Sequence, residues 1–129
     1  MYRTPMCLVL AAATAACLSD RAPVAPAGEQ ADCRLPVDAV RRGDRIVVIR
    51  NFAFVPDTVT VEPGRSVTWV NCEADGTEPH TSTDDAGAWN SSLLHPGDSY
   101  SRTFGEEGEH GYFCLPHPAM RGHIHVRSP

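Results

Sequence analysis

Between Arg45 and Val126 the apolar residues fall in short runs, most of them alternating with polar residues, and each run is broken before it reaches helical length. Ile46-Val47-Val48-Ile49 is β-branched throughout, and Thr58-Val59-Thr60-Val61 alternates. Glu62-Pro63-Gly64 then breaks the chain before Val67-Thr68-Trp69 alternates again. After Pro96-Gly97, Tyr100, Arg102 and Phe104 fall on one face, with Ser99, Ser101 and Thr103 on the other. Glu109 to Cys114 and Gly122 to Val126 complete the expected strands. A period of two gives each strand one face to bury, which it can bury only against another sheet. The 10 Gly and 11 Pro supply the turns. No segment of helical length carries a 3.6-residue apolar period outside the N-terminal segment, and no internal repeat is present. The pattern predicts an all-β sandwich or barrel.

A chain of 129 residues suits one such domain. Its charged fraction of 21% is too high for a membrane bundle. The net charge of −5 and the lack of a Lys/Arg run argue against nucleic acid or an anionic membrane surface as partner. The same charge favours a partner with a basic docking face.

Residues 1–17 read as a secretory signal: Arg3 is the positive start, Met6 to Ala16 is apolar, and small residues precede Cys17. Thr14-Ala15-Ala16-Cys17 resembles a bacterial lipobox, which would lipidate Cys17 and attach the chain to a membrane; cleavage near Ala16 is the alternative. Residues 18–42 read as a flexible tether and lead-in, and 43–129 as the folded domain. Either N-terminus implies export, to the periplasm or cell envelope.

The run Tyr112-Phe113-Cys114-Leu115-Pro116-His117-Pro118-Ala119-Met120 puts a thiolate, an imidazole and a thioether at Cys-x2-His-x2-Met. Two sulfurs with imidazole suit copper, which must be stable as both Cu(I) and Cu(II). A trigonal His2Cys site with a weak axial Met needs a second His, and His80 is the best placed, 34 residues before Cys114. Cys7 and Cys17 belong to the signal, which leaves Cys33, Cys72 and Cys114. Three thiols allow three pairings. With Cys114 among the metal donors, the expected disulfide is Cys33–Cys72.

These residues resemble the cupredoxins, in particular the plastocyanin- and amicyanin-like proteins. The resemblance spans Ile46 to Val126 and includes Phe54-Val55-Pro56, Val61-Glu62-Pro63-Gly64, Val67-Thr68-Trp69-Val70-Asn71, Pro79-His80-Thr81 and Asp85-Ala86-Gly87-Ala88-Trp89. It ends in Tyr112-Phe113-Cys114 and His117-Pro118-Ala119-Met120-Arg121-Gly122, and the short ligand loop looks like the amicyanin kind. It implies a Greek-key sandwich of about eight strands, one copper ion at His80, Cys114, His117 and Met120, and single-electron transfer between exported partners by transient docking. A monomer is expected. A copper oxidase or reductase fragment is the enzymatic rival, and it would need further histidines for a second copper centre, usually across several domains, where one cupredoxin-sized unit is read here. Many cupredoxins carry Asn after the upstream His, where this chain has Thr81.

Pro116 and Pro118 fix their φ angles and stiffen the loop, yet neither has an N–H to donate to the Cys114 thiolate. The donor is expected from backbone near Thr81. Strand alternation puts Phe113 on the face opposite Cys114, close to a route by which an electron would leave. Leu115, Pro118 and Ala119 could form an apolar rim around His117 for brief docking.

Other signals read as structural. His123 and His125 share one strand face, where solvated histidines are commoner than a second metal site. His95 and His110 read as solvated, and Asp84-Asp85 and Glu106-Glu107 as loop residues. A copper-delivery protein without electron transfer is the rival function, although such proteins favour open Met- or His-rich sites, and Met1 and Met6 fall in the signal.

Overall fold

Where apolar residues alternate, the chain forms strands that pair into two sheets and bury one face each. The computed structural model describes residues 33–36 and 40–129. The signal reading, with Cys7 and Cys17, and most of the tether reading lie outside the described residues. The strands are β1 (Arg45–Arg50), β2 (Ala53–Val55), β3 (Thr58–Val61), β4 (Arg65–Asn71), β5 (Thr83–Asp84), β6 (Ser99–Phe104), β7 (Gly108–Phe113) and β8 (Arg121–Val126). One sheet has the order β2-β1-β4-β6 and the other β3-β8-β7-β5. Two pairings are parallel, β1 with β4 and β3 with β8, and the rest antiparallel. The chain therefore crosses between the sheets repeatedly, as a two-sheet all-β sandwich requires.

The core lies between the sheets. Val47 and Ile49 enter it from β1, Val59 and Val61 from β3, and Ile124 and Val126 from β8. Trp69 is fully buried at the centre, with Trp89, Tyr100 and Tyr112 rings against it at 5.4–6.1 Å. Gly122 faces the Tyr112 ring so closely that any Cβ there would overlap it.

Two short strands escape the sequence pattern. β2 follows β1 through the two-residue turn Asn51-Phe52, in which both residues have positive φ (53° and 55°). Such a turn matches the twist of a hairpin but ordinarily takes Asn-Gly. β5 contains Asp84, which the sequence placed in a solvated loop. It is instead buried, and its carboxylate accepts the N–H groups of Ala86 and Ala88 at 3.0 and 2.9 Å. Asp84 thus satisfies backbone donors of the turn that follows it.

Candidate metal centre

Two segments from different parts of the chain meet at one end of the sandwich. His80 is held by a backbone bridge: its N–H donates to Leu94 O at 3.0 Å, and Leu94 N–H donates to His80 O at 2.7 Å. The fully buried Asn71 fixes that bridge by donating its Nδ2 to Leu94 O at 2.9 Å. The second segment closes on itself after β7. His117 N–H donates to Cys114 O (3.2 Å), Met120 N–H to His117 O (2.9 Å), and Cys114 N–H to Met120 O (3.1 Å). Seven residues from Cys114 to Met120 are tied into a tight double turn, with the two prolines holding φ inside it.

This framework brings three donor atoms together. His80 Nδ1 lies 3.6 Å from Cys114 Sγ, His117 Nδ1 lies 3.7 Å from it, and the two Nδ1 atoms are 3.2 Å apart. A triangle with those edges has a point about 2.0 Å from every corner, close to the usual length of metal–imidazole and metal–thiolate bonds. His80 and Cys114 are fully buried and His117 is half-buried, so the site is closed on the protein side and approached past one imidazole. Met120 is buried beside them in the core cluster, at the end of the same loop. Two imidazoles and one thiolate in a trigonal cluster are the donor set of a blue-copper site, so the residues present fit a single copper ion.

Thr81 ties the two segments together. Its backbone N–H points at Cys114 Sγ over 3.3 Å, the donor that the proline-bounded loop cannot supply. Its hydroxyl accepts the Leu115 N–H at 2.8 Å and lies 2.9 Å from the Thr83 hydroxyl.

The structure adds two residues that the sequence reading did not mark. Glu73 is buried, accepts the Phe52 N–H at 2.7 Å, and sets its Oε1 3.5 Å from His80 Nε2. That nitrogen has no closer polar partner among the described residues. Burial, and after it the neighbouring His117, hold His80 below the ordinary imidazole range, which keeps it neutral as a ligand must be. Phe52 stands edge-on to both ligand rings, 5.1 Å from His80 and 5.0 Å from His117. Its exposed position in a positive-φ turn gave no signal in the sequence.

Cys33 and Cys72 form a disulfide, with Cα atoms 5.1 Å apart, and Cys114 is a buried free cysteine. Cys72 directly precedes Glu73, so the bridge anchors the segment that faces His80. Phe113 lies half-buried on the outer face of its sheet, under the Arg121 guanidinium at 5.7 Å. Leu115, Pro118 and Ala119 are exposed around His117. His95 is exposed as expected, whereas His110 packs against Trp89 and Phe104 at 5.7 and 5.2 Å because alternation turns it inward.

Residues 45–127 match the family model described as copper binding proteins of the plastocyanin/azurin family. Amicyanin from Paracoccus versutus is 33% identical over 119 residues, covering 88% of this chain and 84% of the relative. The solved Cu(I) form of an amicyanin mutant superposes with a TM-score of 0.62 at 32% identity, over 72% of this chain and 90% of that one. A copper-containing nitrite reductase from Thermus scotoductus SA-01 superposes with a TM-score of 0.61 at 28% identity, over 67% of this chain. This chain spans only 23% of that enzyme's length. The match over residues 45–127, the stretch that contains all eight strands and the donor cluster, makes this protein a member of the plastocyanin/azurin family of copper-binding proteins.

Proposed function

We propose that this chain is an exported carrier of single electrons, in which His80, Cys114, His117 and Met120 would hold the copper. The observation that carries this reading is the meeting of two imidazole nitrogens and one thiolate sulfur within 3.7 Å of one another. When bound, copper supplies a one-electron couple. The protein's part is to keep the donors still. The loop hydrogen bonds, the two prolines and the Thr81 contacts leave Cys114 and His117 little freedom to rearrange.

His117 is the ligand nearest the surface, and Leu115, Pro118, Ala119 and Phe52 surround it with apolar area. A small apolar patch suits partners that dock briefly and leave. Phe113, next to Cys114 in sequence, offers a second exit route on the outer face. The Cys33–Cys72 disulfide supports an oxidising compartment outside the cytoplasm. A lipidated Cys17 would hold the carrier at the membrane while the tether let the domain reach its partners.

The closed donor cluster, with His80 and Cys114 fully buried, favours a carrier over a delivery protein. Repeated reduction and reoxidation in the presence of a copper-accepting chelator tests this. A carrier retains its copper and its one-electron couple through the cycles. Loss of copper to the chelator on each reduction would mean delivery.

A further inference from the structure

We propose that Glu109, His123 and His125 form a second metal site on the outer face of the β3-β8-β7-β5 sheet, selective for a borderline divalent cation such as Zn(II) or Cu(II). The strand register creates it. β7 and β8 run antiparallel with Glu109 opposite His125 and Gly111 opposite His123, so all three side chains leave the same face. His123 Nε2 lies 2.8 Å from Glu109 Oε2, and His125 Nδ1 contacts the same oxygen. The three ligand atoms all lie within 4.8 Å of one another, close enough to share one ion after small side-chain rotations.

The chemistry and access agree with that placement. Two imidazoles and a carboxylate, without a thiolate, match Zn(II) or Cu(II) better than Ca(II) or Mg(II), which prefer oxygen alone. The side chains of His123, His125 and Glu109 are 41%, 33% and 61% exposed, so an ion can enter and keep water in its remaining positions. Gly111, across from His123, keeps the face clear: a Cβ there would run into the Asp85 carboxylate and approach His123. The cluster shares no donor with the buried site. His123 lies three residues beyond Met120, roughly 10 Å along an extended strand.

An ordinary cluster of hydrogen-bonded side chains would look similar without metal, and a titration separates the two. The full chain, free of any histidine tag and carrying copper in the buried site, is titrated with zinc chloride by calorimetry, and imidazole NMR signals are followed. One Zn(II) is expected to bind with shifts confined to His123 and His125 while the visible spectrum stays unchanged. Glu109→Gln should weaken binding roughly tenfold, about 1.4 kcal/mol, and the His123→Asn/His125→Asn double variant should abolish it. No heat beyond dilution would overturn the proposal. So would zinc uptake that survives in the double variant or displaces copper.

Discussion

The backbone N–H of Thr81 points at the sulfur of Cys114 over 3.3 Å, while its hydroxyl accepts the N–H of the next residue, Leu115, at 2.8 Å. One threonine thus supports the thiolate and fixes the start of the ligand loop. Thr81→Ala keeps the first contact and removes the second, leaving the Leu115 N–H without its acceptor. The variant is expected to retain its blue absorption and to lose about 1–2 kcal/mol of stability, read from urea unfolding. Loss of colour in a folded variant would show that the hydroxyl shapes the metal site itself.

Phe52 occupies a left-handed position in the Asn51-Phe52 turn, which costs an aromatic residue on the order of 1 kcal/mol or more. The cost is offset in function if the ring shields His80 and His117 from water. Phe52→Gly should leave the metal-free protein as stable or slightly more so, because glycine prefers that turn position. Copper transfer from the variant to a strong chelator should be faster. A slower or unchanged transfer rate would remove Phe52 from the site's protection.

Glu73 sits 3.5 Å from the outer nitrogen of His80 and also holds the Phe52 N–H. Carboxylates behind a ligand imidazole typically contribute about tenfold or more to metal affinity. Glu73→Gln keeps the size and one acceptor but loses the charge, so copper affinity should fall by about that factor, measured by chelator competition. An unchanged affinity would limit Glu73 to holding the turn.

Because burial holds His80 below its ordinary value of 6.5, the metal-free protein should depend on pH with a definite sign. The unfolded chain takes up the proton first as pH falls. This contribution to stability is therefore complete above 6.5 and is lost as pH drops from 6.5 towards the lower folded value. Urea midpoints of the metal-free protein on either side of 6.5 check this, and His80→Gln should flatten the His80 component of the profile. A wild-type profile that rises towards acid would contradict the assignment.

The Cys33–Cys72 bridge closes a long loop, with a sequence separation of 39, and ties residues 33–36 to the segment before Glu73. Replacing both cysteines by Ser should cost about 2–4 kcal/mol through the freer unfolded chain. The blue absorption should persist, since neither sulfur belongs to the ligand cluster. Loss of the blue absorption in the folded double variant would show that the bridge shapes the centre.

The long strands and the Cys114–Met120 loop were legible because their signals are local. Val59 and Val61 alternate within four residues, and Cys114, His117 and Met120 occupy one seven-residue loop. β2 and β5, with three and two residues, are too short to show a period. Glu73, Phe52 and Glu109 matter through partners far away in the chain. Glu109 meets His125 only through the register of β7 on β8, and Phe52 meets His117 only when the two sheets pack. Asp84 looked like a solvated acid because its work, capping the turn to Ala88, is done by backbone groups that leave no trace in side-chain patterns.

The most direct test of the copper centre is the visible spectrum of the Cu(II)-loaded chain, recorded beside its Cys114→Ser variant. An intense blue band in the wild type that vanishes in the variant is expected from thiolate-to-copper charge transfer at Cys114. A wild type that binds copper without that band, or a variant that keeps it, would contradict the assignment of Cys114 and with it the electron-carrier account.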